Sequence, residues 1–153
     1  MKEGILVDAI DIKLLELLQI DGRMTISELS QQLSLSRPSI SERLHRLQEN
    51  KIIEGFSARV SPVAVGRSIL LFIEMSQLRI PSYEFEFFLE NNPYIIECHR
   101  VTGTVSYFIK AAVPGMDSLR ILVDQLIPYG NVNTSIVLSS PVSNRKILPI
   151  DHA

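Results

Sequence analysis

Apolar residues return every three to four positions through the first fifty residues, then change to strand-like runs broken by two further helical stretches. The first helical stretch is DAIDIKLLELLQID, opened by Asp8. Ile12, Leu15 and Leu18 share one face, with Leu14 and Leu17 widening it. Asp21-Gly22 stops it, with glycine expected to turn left-handed there. Thr25 and Glu28 then have the spacing of a capping box, in which each side chain satisfies the other's backbone amide. That second helix buries Leu29 and Leu33 and ends within a residue or two of the next start signal, Ser36.

The chain is organised around the third helix, SRPSISERLHRLQENK, Ser36 to Lys51. Ser36 is a good N-cap, and Pro38 falls in the first turn, where a missing N–H costs nothing. Ile40, Leu44 and Leu47 form its apolar stripe. At about 100° per residue, Pro38, Ser39, Glu42, His45, Arg46 and Glu49 fall on the opposite face, with Arg43 on the flank. Three helices with a tight turn between the last two make a helix-turn-helix pattern. Hydroxyls at one end of the outer face and arginines along it suit a major groove better than they suit a plain surface helix. Ser36, Arg37, Ser39, Ser41 and Glu42 are the candidate groove residues, with Arg43, Arg46 and Lys51 towards the phosphates. Arg43 has an equal alternative as a structural partner of Glu28 or of an acid on the first helix.

KIIEGFSARVSP follows as a turn and a short extended segment, a wing or a linker strand, with Phe56, Ala58 and Val60 alternating. Pro62 and Gly66 mark a boundary. Beyond it, RSILLFIEMSQL is a strand, and PSYEFEFFLENNP a helix with Tyr83, Phe87 and Phe88 inward and Glu84, Glu86 and Glu90 outward. IIECHRVTG and VSYFIKAAVP are strands meeting near Gly103-Thr104. MDSLRILVDQLIPYG is a helix with Leu119, Leu122, Val123, Leu126 and Ile127 as its stripe, and NVNTSIVLSSP is the last strand. The order β-α-β-β-α-β is the ferredoxin-like arrangement. The fold class is therefore α+β: a (winged) helix-turn-helix domain at 1–55, a linker at 56–66, a ferredoxin-like domain at 67–140 and a tail at 141–153. Its first and third strands are largely apolar at consecutive positions, so both sheet faces want cover, and two helices cover only one. A second subunit is expected on the other.

The residues VDAIDIKLLELLQIDGRMTISELSQQLSLS and RPSISERLHRLQENKIIEGFSARVSPVAVG resemble the Lrp/AsnC (feast/famine) transcription regulators. The shared order is IDxxLLxxLQxDGR, a capping-box helix, LS at the turn, SxxRLxRL, and a IIxGFxAxVxP linker. Ser34 stands where that family has glycine, and a left-handed backbone there would cost serine about 1 kcal/mol. The resemblance implies homodimers built sheet against sheet, closing into octamers, on pseudo-palindromic double-stranded DNA. It also implies an amino acid or related small molecule held at the hairpin Val101, Thr102, Gly103, Thr104 and Ser106. Gly103 matches the family's glycine there, but Ser106 replaces an aspartate that helps hold the ligand's ammonium, so a charge-assisted bond is missing.

Composition narrows the alternatives. With 15 Lys and Arg against 17 Asp and Glu, the net charge is −2, so no global field draws the protein to nucleic acid. The third helix is only +2 locally, from Arg37, Arg43, Arg46 and Lys51 against Glu42 and Glu49, which favours several copies acting together. The single cysteine, Cys98, fits a reducing compartment. No signal peptide pattern opens the chain and no apolar run reaches about 18 residues, so a cytoplasmic location without a membrane anchor is expected. His45, His99 and His152 have no metal-ligand spacing, and Cys98 and His99 point to opposite strand faces. No phosphate-loop, dinucleotide or nucleophile-elbow motif appears, so neither cofactor nor catalysis is expected. Two further readings compete: an architectural protein that wraps DNA, and an enzyme of the haem-precursor decarboxylase kind that shares this two-domain layout. The intact arginine-bearing helix argues against the enzyme.

Overall fold

The computed structural model describes residues 7–150, which divide into two compact units. One comprises residues up to 58 together with those from 142 onward, and the other residues 59–141.

In the first unit, α1 (Ala9–Ile20), α2 (Ile26–Leu33) and α3 (Arg37–Glu49) enclose Leu14, Leu15, Leu29, Ile40 and Leu47. The start signals act as their chemistry requires. Asp8 and Asp11 form a capping box on α1, Thr25 and Glu28 another on α2, and the Ser36 hydroxyl accepts from the Ser39 amide at 3.4 Å. Ser34 is left-handed, with φ 53° and ψ 43°. The turn around it is closed twice: the Leu35 amide donates to the Ser30 carbonyl at 3.1 Å, and the Ser30 hydroxyl donates to the Leu35 carbonyl at 2.5 Å. The end of α1 differs from expectation. Its C-cap Asp21 is extended and Gly22 does not take a left-handed backbone. The Asp21 carboxylate accepts from the Arg23 amide at 2.9 Å, so a side-chain turn ends the helix without a positive φ. The expected wing or linker strand is not formed as a paired strand, and Phe56, Ala58 and Val60 are exposed. Within the segment set apart in the sequence as a tail, 141–153, Lys146 and Ile147 bond to α1 and Leu148 packs on the core of this unit.

In the second unit a short 3-10 turn, Val63–Val65, ends at Gly66 (φ 81°) and leads into β1 (Ile69–Ser76), α4 (Ser82–Glu90), β2 (Ile95–Arg100), β3 (Val105–Val113), α5 (Met116–Leu126) and β4 (Asn131–Ile136). The antiparallel sheet runs β2-β3-β1-β4, the ferredoxin-like order. Leu71, Ile73 and Met75 of β1 and Tyr107, Ile109 and Ala111 of β3 meet Phe85 and Leu89 of α4 and Leu119, Leu122 and Leu126 of α5. The opposite face of the sheet is open in the single chain. Phe72 pairs with Lys110 and Glu74 with Phe108, and Phe72 and Phe108 remain exposed.

Two helix faces depart from the sequence expectation. In α4 the buried residues are Phe85 and Leu89, with Phe88 packed against the core as expected, whereas Tyr83 and Phe87 are each 70% exposed. Four aromatic residues in six positions allow two stripes. The sheet selects one of them, because Tyr107 meets Phe85 edge-on at 5.2 Å and donates its hydroxyl to Glu86 at 2.5 Å. Glu86 is therefore a partner of the core rather than an outward charge. In α5 the stripe ends at Leu126. Pro128 tightens the chain into a 3-10 turn, Ile127–Tyr129, which leaves Ile127 half exposed.

Candidate nucleic-acid interface and effector site

One carboxylate fixes how α3 is presented. Asp11 is 1% exposed and accepts from Arg43 Nη1 at 2.8 Å and from Arg46 Nη2 at 2.6 Å. Its other duty is the capping box, accepting from the Asp8 amide at 3.2 Å. Asp8 completes the cluster, accepting from Arg43 Nη1 at 2.7 Å. The Asp8 carboxyl is held below the ordinary aspartate range, first by the Asp11 backbone N–H and then by the Arg43 guanidinium. Arg43 is correspondingly raised, chiefly by its bonds to Asp8 and Asp11.

This geometry selects among the sequence alternatives for Arg43 and gives Arg46 a partner the sequence did not suggest. Arg43, only 20% exposed, is the structural arginine, and its partners are the two acids of α1 rather than Glu28. Arg46, expected to stand free on the outer face, reaches back to Asp11 yet remains 47% exposed. Ser36, Arg37, Ser41, Glu42 and Lys51 are exposed, and Ser39 is half-buried beside the cap. Lys51 follows the C-cap Asn50 with φ 58°, which turns it out of the helix line. Arg23, an exposed cation in the turn before α2, was quoted in the family pattern but was not among the sequence candidates for contact.

The second candidate site is the hairpin between β2 and β3. Thr102, Gly103 and Thr104 are exposed at its tip, Val101 and Ser106 are half-buried, and the Val101 amide donates to the Ser106 carbonyl at 3.0 Å. Gly103 has φ +113°, a backbone that side-chain-bearing residues rarely adopt. Beside it, Glu86, Leu89, Ile95, Cys98, Arg100 and Tyr107 line a cavity of about 400 Å3. Cys98 is a cavity-wall residue whose thiol is pushed up mainly by burial and further by the Glu86 charge. The strand register sets Cys98 opposite Ile109 and His99 opposite Phe108, so the two adjacent residues do face opposite ways. Among the described residues no three His, Cys, Asp or Glu side chains could hold a metal ion, and no helix is long and apolar enough to cross a membrane. His152 lies outside the described residues.

Comparison with known proteins follows the same two-part division. The profile of the AsnC-type helix-turn-helix domain matches residues 7–48, and that of the Lrp/AsnC ligand binding domain matches residues 70–147. The chain is 33% identical over 150 residues to the leucine-responsive regulatory protein of Escherichia coli strain K12, covering 93% of this chain and 92% of that protein. The crystal structure of the regulator NMB0573 from Neisseria meningitidis, solved as an L-Met complex, superposes with a TM-score of 0.84 at 27% identity, covering 96% of this chain and 99% of that one. Bacillus subtilis LrpC shares the fold, with a TM-score of 0.86 at 24% identity over 90% of this chain and 99% of its own. The two profiles fall on the α1–α3 unit and on the βαββαβ unit in turn, and the chain belongs to the Lrp/AsnC family of transcriptional regulators.

Proposed function

We propose that the protein reads sequence-specific sites on double-stranded DNA through α3, in two-fold pairs, and that a small α-amino acid modulates it. The observation that carries the reading is the division of labour on α3. Arg43, with one side of Arg46, fixes the helix to α1, while Ser36, Arg37, Ser41 and Glu42 stay exposed along the other edge. Ser36, Ser39, Ser41 and Glu42 meet base edges, and Arg37, grouped with the groove residues on sequence, is assigned with Lys51 to the phosphates. The free side of Arg46 adds a weaker phosphate contact. Arg43 leaves the contact set.

The pairing rests on the open sheet face with Phe72 and Phe108, which a second copy covers sheet against sheet, and further association of dimers follows the family's octameric plan. Two recognition helices then face a pseudo-palindromic site. The ligand reading rests on the left-handed Gly103 turn and on the likeness to a protein solved with L-Met. With serine at 106, the ligand is held by backbone groups and a hydroxyl rather than by a carboxylate. A free Cys98 is compatible with work in the reducing cytoplasm.

The test is a salt titration of binding to a pseudo-palindromic duplex by fluorescence anisotropy. Arg37→Ala is expected to weaken binding on all sequences alike and to reduce the magnitude of the log–log salt slope by about 0.9 for each phosphate left without its cation. An unchanged slope would remove Arg37 from the interface, and a wild type that binds no duplex would end the reading.

A further inference from the structure

Residues 146–149 return to α1 after the sheet has been completed. The Gln19 carboxamide clasps the backbone of Ile147 from both sides: its Nε2 donates to the Ile147 carbonyl at 2.9 Å, and the Ile147 amide donates to its Oε1 at 2.8 Å. Lys146 pairs with Glu16 at 2.5 Å, one turn earlier on the same helix. Leu148 packs on the core of the first unit. A side-chain amide that satisfies both polar groups of one residue reproduces half of a strand pairing, and it is selective for an extended segment at that place.

The docking is also shallow. Beside Leu148 and Pro149, a cavity of about 490 Å3 remains between Leu15, Leu18, Ile53 and Phe56. Ile147 is 83% and Ile150 81% exposed, because the Ile147 backbone, not its side chain, makes the contact. One half-buried leucine, two hydrogen bonds and one surface ion pair place the segment at the low-stability end of a fold, where local release precedes global unfolding.

We propose that residues 146–149 form a releasable strap on the DNA-binding unit, and that its release loosens the grip of α1 on α3. The path is short. The strap holds Glu16 and Gln19, and the same helix holds Arg43 and Arg46 through Asp8 and Asp11. Residues 137–145 join the strap to β4, so a strain at that strand of the sensing sheet has a covalent route to α1 that does not use the 56–66 linker. The consequence for DNA binding rests on the function proposed above.

Hydrogen exchange by mass spectrometry, with duplex binding measured in parallel, tests this on the full chain. Gln19→Ala removes both backbone bonds from an exposed position, and Leu148→Asp removes the apolar contact. Each is expected to raise exchange at least about tenfold in 146–149 and in α1, with the second unit unchanged, and to weaken duplex binding about three- to tenfold. Gln19→Ala carries the result should Leu148→Asp fail to fold. Unchanged exchange in α1 overturns the strap, and raised exchange with unchanged affinity overturns its hold on α3. A wild type that fails to bind duplex refutes the DNA reading instead, because the exchange arm still reports on the strap.

Discussion

Replacing Asp11 by alanine strips the first unit of the acceptor on which two arginines converge. Removing one partner of a fully buried ion pair costs about 3–5 kcal/mol. Here the stranded guanidiniums reach water, Arg43 at 20% and Arg46 at 47% exposure, so the expected cost falls to about 2–3 kcal/mol. Loss of the Asp11 half of the α1 capping box adds about 0.5–1 kcal/mol. A total near 3 kcal/mol in a unit of this size should lower its melting temperature by roughly 12–24 °C, read by circular dichroism. A double-mutant cycle with Arg43→Met isolates the pair, with an expected coupling of about 1–3 kcal/mol. A melting shift under about 3 °C, or a coupling within about 0.3 kcal/mol of zero, would refute the bracing role of Asp11.

Three further outcomes follow from single features. Ser34→Gly relieves a left-handed serine at φ 53° and should raise the melting temperature by up to a few degrees, since about 1 kcal/mol of strain is set against about 0.5–1 kcal/mol of glycine entropy; a lower value would mean that the Ser34 side chain contributes more than its backbone strain costs. The depressed Asp8 carboxyl contributes stability above its unfolded value of about 3.9 and loses it as pH falls through the lower folded value. Melting profiles between about pH 5 and 2 should therefore fall more steeply for wild type than for Asp8→Asn, which still caps the helix; parallel profiles would count against it. Phe108→Glu puts a charge on the open sheet face and should shift light scattering towards monomer, and an unaltered mass would place the partner elsewhere.

Much of the layout was legible because it depends on local chemistry. Thr25 with Glu28, Ser36 with Pro38, and the strand-helix alternation after Arg67 each state their element without help from distant residues. Ser34 was readable as a strained turn only through the family resemblance, because it stands where that family has glycine. What escaped was decided at long range. Which aromatic stripe of α4 goes inward depends on Tyr107, more than twenty positions away, and the role of Arg46 on Asp11 of another helix. A helical wheel gives the direction of a side chain's root, and an arginine is long enough to bend back from it. The docking of 146–149 on α1 spans more than 120 positions, and no local pattern carries it.

The second unit turns apolar side chains outward on two sides. One is the sheet, with Phe72 and Phe108, and the other is the helical layer, where Tyr83 and Phe87 project from α4 and Ile121 from α5. If a second copy covers each side, such a body has a valence of two. When each side joins its own kind, every copy gains two neighbours, and the angle between the sides decides whether the series closes into a ring or grows without end. A closed ring would be a finite particle, and the number of copies around it would then follow from that angle.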